Sequence, residues 1–462
     1  MNWSSLYSAR RTGDPAGKST NPDQVRTSFL RDYDRIIFSS AFRRLQNKTQ
    51  VFPLPGAVFV HNRLTHSLEV ASVGRSLGKT VGEAIAAKYP DAGRDFIDFY
   101  RHELQSVIAA ACLAHDIGNP PFGHSGEDAI RNFFTGLTGA DREAIDNQLT
   151  DNQRKDFEYF EGNSNAFRLL THKFNEKEPS NKLTLTTLAA IVKYPCISAE
   201  GFSKSSPFIA TKKSGFFDSE IGTYLQIVEQ FGIPKKEGFN HVYARHPFVY
   251  LTEAADDICY RVIDLEDAHR LRLISLETFL SLFLPFFGRE ENYYNSTEYI
   301  RKKLADINDD NQKVQFIRAK WIGLMVDKLA KVFLDSEDAL LAGTLENDLM
   351  KCLDEHDRKL IREINVFSVK HIYNYRSVVE IEIAGYNVIG GLLKEFVHAV
   401  LQPSGPRSGK ILKLIPAQFP IHEDAGLYQN LQSVVDFISG MTDLYAIDLY
   451  RKMTGINIPE IR

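Results

Sequence analysis

His115 and Asp116 stand side by side where an apolar run, ELQSVIAAACLAH, comes to its end. A neutral imidazole nitrogen next to a carboxylate oxygen can ligate one divalent ion. Such a dipeptide is expected about once in a chain of this composition, and its plain structural reading is a core histidine beside a capping aspartate. The context adds chemistry. HDIGNPPFGHSGE also carries His124 and Glu127, three apart in a Gly/Pro-rich turn facing the same helix end, so two imidazoles and two carboxylates fall within thirteen residues. His66 upstream and a carboxylate from a distant segment would complete a His, His-Asp, Asp set, with coordination positions left for water and a phosphate oxygen.

These side chains need rigid elements. From Thr65 onward Val70, Val73, Leu77, Val81 and Ile85 recur at the spacing of an amphipathic helix, with His66 in its first turn. Glu103 to His115 is apolar nearly all round and predicts a buried helix, which Gly118, Pro120 and Pro121 stop directly after Asp116. Phe248 to Ile274 contains neither Pro nor Gly and carries Ile258, Val262 and Leu265 at helical spacing, so one long helix is expected there. TQVFPLPGAVFV, about 49–60, suggests a short β-hairpin. Helical patterns return through 280–287, 317–333, 366–393 and 427–453. The expected fold class is all-α for the most part. It comprises an N-terminal arm at 1–30, a catalytic core at 31–275 with surface insertions near 135–160 and 200–240, and a helical C-terminal region at 276–462 packed on that core.

Bulk properties narrow the functions. Lys plus Arg number 55 against 59 Asp plus Glu, a formal charge of -4, so no overall field draws the chain to nucleic acid or an anionic membrane. An anionic substrate must therefore be held by a local cluster. MNWSSLYSARRTGD lacks the apolar core of a signal peptide and no run of about eighteen apolar residues occurs, which predicts a cytoplasmic protein. Cys112, Cys196, Cys259 and Cys352 lie far apart with no CxxC pair, so neither a disulfide framework nor a thiolate zinc site is expected. Metal ligands must then be His and carboxylate.

Six ordered blocks give the chain a family likeness: RDYDRIIFSSAFRRLQNKTQVF (31–52), HNRLTHSLEV (61–70), ACLAHDIGNPPFGHSGE (111–127), FEGNSNAFRLL (160–170), YLTEAADDICYRVIDLED (250–267) and DFISGMTDLYA (436–446). Together they resemble the HD superfamily and, within it, the deoxyguanosine triphosphate triphosphohydrolases and related dNTP triphosphohydrolases. The resemblance implies an HD-domain helical fold and a divalent ion, Mg²⁺ or Mn²⁺ first among the candidates and other transition metals after them, held by His66, His115, Asp116 and Asp256. The dipeptide Asp256-Asp257 does not itself say which residue ligates. Helical geometry puts Asp256, Tyr260 and Asp264 on one stripe and turns Asp257 elsewhere, and the family pattern has a Tyr at +4 and an Asp at +8 from its ligand, contacting substrate.

The same resemblance implies phosphate contacts from Arg63 and Lys193, a hydrogen bond from Gln50 to the sugar 3′-hydroxyl, and Tyr260 against the sugar, excluding a 2′-hydroxyl. The expected reaction is hydrolysis of dGTP, or other dNTPs, by water attacking the α-phosphorus, with triphosphate released in one piece. His124, oriented by Glu127, carries the proton. A homo-oligomer, a nucleotide effector and single-stranded nucleic acid are further expected partners. Asn163 and Arg168 either shape the pocket or brace its wall, Arg43 and Arg44 read as solvated surface, and His61, His102, His172 and His269 read as structural or surface.

GDPAGKST (13–20) and GPRSGK (405–410) resemble phosphate loops, but each has three residues between its glycine and GK where a P-loop needs four, and neither follows an expected strand. The rival functions are an HD phosphodiesterase or phosphatase on another nucleotide, using the same ligands, and a nucleotide-sensing regulator that keeps the pocket for binding alone.

Overall fold

Asn62 starts the first long helix of the site. Its side chain accepts the N–H of Thr65 while Thr65 Oγ1 accepts the N–H of Asn62, a capping box that opens the helix Arg63–Lys88. Val70, Val73, Leu77, Val81 and Ile85 are buried along it, as their spacing predicts. Gly78 and Gly82 allow a second chain segment to approach closely: a Cβ at Gly82 would lie 2.0 Å from the Tyr100 carbonyl oxygen, and one at Gly78 would lie 2.9 Å from the Gln105 Cα. The helix Leu104–Ala114, buried over nearly its whole surface, lies in this contact and delivers His115 at its end. A third helix, Pro247–Arg270, opens with Pro247 after the capping His246, packs on both and supplies Asp256.

The computed structural model describes residues 1–14, 26–52, 60–174, 181–203, 205–290, 292–422 and 424–456. Helices make up 68% of it and no sheet forms among the described residues, so the fold is α-helical as expected. Of the hairpin read at 49–60, residues 53–59 lie outside the described set, and the flanking residues Thr49 and Asn62 form a single antiparallel bridge. The GDPAGKST stretch falls mostly outside it too, while GPRSGK runs through a turn into the short helix Ser408–Leu412.

Two large apolar cores form among the described residues, beside a small cluster of Cys196, Ala210 and Val242. The larger surrounds the three site helices and includes Trp321 from the helix Asp310–Asp335; the smaller lies under the helix Arg376–Leu401 and joins it to His124–Thr135, Leu427–Ser439 and Asp443–Met453. The arm does not hang free at its start: the Met1 amino group donates to the Leu341 carbonyl and Trp3 Nε1 to Glu337 at 2.7 Å.

Polar stretches conceal inner faces. Near 135–160 the helices Gly139–Gln148 and Asp151–Glu158 bury Ile145 and Phe157, and within 200–240 the helix Ile221–Phe231 buries Tyr224, Ile227 and Phe231. The helical pattern at 366–393 is interrupted: Glu355–Ser368 passes into a π turn, Val369–Tyr373, before Arg376–Leu401 begins. No helix among the described residues is long and apolar enough to cross a membrane, and all four cysteines are free.

Candidate metal centre

The three site helices converge on one cluster. His66 turns Nε2 to Asp256 Oδ1 at 3.2 Å, and His115 Nε2 lies 3.5 Å from the same oxygen and 3.7 Å from Asp116 Oδ1. One ligand atom from each of His66, His115 and Asp256 can be chosen so that all lie within 4.8 Å of one another. His115 Nδ1 is 2.7 Å from the Cys112 carbonyl. A carbonyl only accepts, so Nδ1 carries a proton, and Nε2 is the nitrogen turned to the cluster, free to give its lone pair to an ion once its own proton leaves. That Nε2 is buried and has no hydrogen-bond partner. An orphaned imidazole nitrogen among carboxylates, with a second imidazole alongside, fits a borderline divalent cation.

Donors, two of them cationic, already surround the carboxylates. Arg63 donates to Asp116 Oδ2 at 2.6 Å, Asn119 to Oδ1 at 2.5 Å, and Lys193 to Asp256 Oδ2 at 3.0 Å. Burial opposes charge on Asp116, yet Arg63 and then His115 outweigh it and hold the carboxyl at about 2. Asp256, buried likewise, is held well below the usual carboxylate range chiefly by Lys193. Burial works against a proton on His115, but Asp116 and Asp256 lift it to about 8, as expected where two carboxylates favour positive charge. Asp257 turns away to Arg261 at 3.3 Å, so Asp256 is the aspartate that faces the imidazoles.

A second pair sits at the start of the helix His124–Thr135. His124 Nδ1 meets Glu127 Oε2 at 2.9 Å; the His124 side chain is 83% exposed and that of Glu127 only 2%. Glu127 also accepts the Gly162 N–H at 2.8 Å and lies 3.4 Å from Arg131, which pairs in turn with buried Glu161 at 3.0 Å. The hydrogen bond to Glu127 raises the His124 pKa above its ordinary value, and the same bond holds Glu127 below its own despite burial.

Both pairs adjoin one cavity of about 540 Å³. Gln50, Arg63, His66, His115, Asp116, His124, Lys193, Asp256, Tyr260 and Asp264 all line it, and Glu127 stands directly behind His124. Gln50 Oε1 is buried and without a partner. Burial pushes Asp264 up to about 7, against the hydrogen bond it accepts from Tyr373 at 2.7 Å. Asn163 lines the cavity and donates to Glu161 at 2.8 Å. Arg168 does not line it; it braces the wall through Asp436 at 2.9 Å and Glu220 at 2.8 Å. Neither Arg43 nor Arg44 lines the cavity, and His61 is tied to Asp267 at 2.8 Å.

Asn119, Tyr194, Lys213, Tyr373 and Glu382 also line the cavity, and sequence reasoning does not single them out. Tyr194 follows Lys193 directly, and Asn119 lies inside the HDIGN run, so adjacency to expected site residues is the signal that could have found both. Lys213 sits in a Ser/Lys/Gly stretch whose composition indicates only surface.

A family model, the HD domain, matches residues 63–194, and a second, the phosphohydrolase-associated domain, matches 352–452. Asp256 falls between the two segments. A deoxyguanosinetriphosphate triphosphohydrolase-like protein of Pseudomonas aeruginosa is 38% identical over 471 aligned residues, covering 99% of this chain and 100% of the relative. One of the same name from Synechocystis is 37% identical with the same coverage. A deoxyguanosinetriphosphate triphosphohydrolase of Yersinia enterocolitica is 29% identical over 505 aligned residues, 95% of this chain and 96% of the relative. With the helical fold, the His/Asp cluster and this full-length similarity together, the chain belongs to the HD-domain family of deoxyguanosinetriphosphate triphosphohydrolase-like hydrolases.

Proposed function

We propose that the chain is a metal-dependent triphosphohydrolase that converts a deoxynucleoside triphosphate, dGTP foremost, to the deoxynucleoside and inorganic triphosphate. One observation carries this reading: His66, His115, Asp116 and Asp256 share a cavity of about 540 Å³ with the cations Arg63, Lys193 and Lys213 and with exposed His124. That volume is of the size that encloses a small-molecule ligand. The names of the relatives point to the same reaction.

His66, His115, Asp116 and Asp256 would hold the ion. Two imidazoles and two carboxylates suit Mn²⁺ well and tolerate Mg²⁺, which prefers an all-oxygen shell. When bound, a divalent cation supplies Lewis-acid polarisation of a phosphate oxygen and favours deprotonation of water. Arg63, Lys193 and Lys213 neutralise the triphosphate, whose roughly four negative charges exceed what one divalent ion can balance. Water attacks the α-phosphorus, the bond from phosphorus to O5′ breaks, and O5′ takes up a proton. His124 is suited to deliver that proton, because Glu127 keeps it protonated to higher pH and its exposed ring reaches into the cavity.

Gln50 Oε1, an unpartnered acceptor in the cavity wall, suits the 3′-hydroxyl as donor, and Asp264 with Tyr260 borders the same space. Tyr260 is the residue proposed to exclude a 2′-hydroxyl. Glu382 lines the cavity and makes no ion pair or hydrogen bond among the described residues; a carboxylate matches the adjacent N1–H and N2–H donors of guanine.

Incubation with each dNTP and GTP, with Mn²⁺ or Mg²⁺, in ¹⁸O-water tests this directly. Deoxynucleoside plus triphosphate carrying the label is the expected outcome. Monophosphate plus pyrophosphate would instead identify the phosphodiesterase-type reading, and bound but unconverted nucleotide the sensing one.

A further inference from the structure

The stretch DFISGMTDLYA, 436–446, contributes no residue to the cavity, yet it grips the cavity wall from behind. Asp443, 5% exposed, accepts two backbone N–H groups: Thr49 donates to Oδ2 at 2.9 Å and Phe122 to Oδ1 at 3.0 Å. Thr49 immediately precedes Gln50, and Phe122 lies two residues before His124. The Ser439 carbonyl accepts from Lys48 Nζ at 2.8 Å, and the same nitrogen donates to the Asn119 carbonyl at 2.6 Å. Asn165 links the Ser439 hydroxyl, at 3.2 Å, to the Gly118 carbonyl, at 2.7 Å. Three backbone groups of the turn between Asp116 and His124 are thus tied, directly or through one side chain, to a single remote segment.

That turn needs holding. Phe122 has φ +62°, a left-handed conformation that an L residue with a large side chain rarely adopts, and Gly123 follows at +58°. The Phe122 ring is pressed against the helix Arg376–Leu401, where a Cβ on Gly385 would come within 2.4 Å of Phe122 Cγ. A turn of this shape persists only where its surroundings over-determine it. Asp443 is well placed to do so at little cost to its own helix, because Thr442, not Asp443, caps Asp443–Met453.

We infer that Asp443 is a positioning residue for the reaction: by fixing the Phe122 and Thr49 amides together it aims His124 and Gln50 into one cavity. The inference builds on the role proposed above for His124. It makes the C-terminal region part of the active site's geometry although its 436–446 stretch touches no substrate.

Asp443→Ala strands two buried N–H donors, and Asp443→Asn keeps one acceptor oxygen for one of them. Hydrogen exchange of Asp443→Ala should rise in the segments 48–52 and 118–124 and stay at the wild-type level in the helices bearing His66 and Asp256. Mn²⁺ affinity by equilibrium dialysis should match wild type. Turnover should fall about 10- to 100-fold with KM less affected, and Asp443→Asn should lie between Asp443→Ala and wild type. In a His124→Ala background Asp443→Ala should cost less kcat than in the wild-type background, because one of the two groups it aims, the proton carrier, is already gone. Exchange rising evenly along the chain, wild-type turnover in Asp443→Ala, or an equal further loss on top of His124→Ala would overturn the inference. Should Asp443→Ala fail to fold, Asp443→Asn gives the same test in weaker form, and Gly385→Ala, which meets the Phe122 ring alone, should raise exchange in 118–124 but not in 48–52 and lower turnover. If the wild-type chain releases no triphosphate, the proposed function fails on its own, and the exchange pattern and Mn²⁺ affinity still decide whether the clamp exists.

Discussion

Two histidine–carboxylate pairs border the same cavity and are built in opposite senses. In His66 with Asp256 the imidazole is buried, 1% exposed, and joins residues 190 apart in the chain at 3.2 Å. In His124 with Glu127 the carboxylate is buried and the imidazole is 83% exposed, and both lie on one helix turn. A buried imidazole beside a second imidazole and two carboxylates can give a lone pair to an ion but cannot follow a moving proton. An exposed imidazole backed by a buried carboxylate can do so, because the carboxylate fixes the ring and stabilises its charged form. Which partner is buried, more than which residues are present, distinguishes the ligand role proposed for His66 from the proton-carrying role proposed for His124.

The largest effect is expected when the first pair is broken. His66→Ala should lose Mn²⁺ binding by calorimetry and, with it, all measurable release of triphosphate. Breaking the second pair from its buried side should do less: Glu127→Gln should lower kcat about 10- to 100-fold with Mn²⁺ affinity unchanged. Its pH profile carries a sign. Glu127 raises the His124 pKa, so the protonated acid survives to higher pH, and activity falls as pH rises through that pKa. Without Glu127 that alkaline fall should move to lower pH; an unmoved limb would show that His124 is not the titrating acid.

Arg168→Met leaves Asp436 and Glu220 as buried charges without their partner and should cost about 3 to 5 kcal/mol of stability, read as a lower Tm, with Mn²⁺ affinity of the folded protein kept. The smallest effect sharpens the first pair. Asp257→Asn should leave Mn²⁺ affinity at the wild-type level, because Asp257 faces Arg261 and not the imidazoles, whereas Asp256→Asn should not.

Much of this arrangement is readable in the chain because it is local and periodic. The apolar recurrence from Val70 to Ile85 announces the helix carrying His66, and the stop at Pro120 and Pro121 fixes where His115 and Asp116 emerge. Asp256 is separable from Asp257 because a helix sorts neighbours onto different faces. What escapes lies where no period operates. Lys213 reaches the cavity from an irregular stretch of polar composition, and Tyr373 arrives through a π turn that breaks a helical pattern. Whether Arg168 shapes the pocket or braces it turns on Asp436, 268 residues away. The grip of Asp443 on Phe122 spans 321 residues and involves only backbone donors on the far side, so it leaves no mark on residue types.

The most direct test of the division between the two pairs is Mn²⁺ binding and dGTP turnover measured side by side on His124→Ala. Wild-type Mn²⁺ affinity is expected, with kcat lowered about 10²- to 10⁴-fold. Lost Mn²⁺ affinity, or turnover close to wild type, would contradict it.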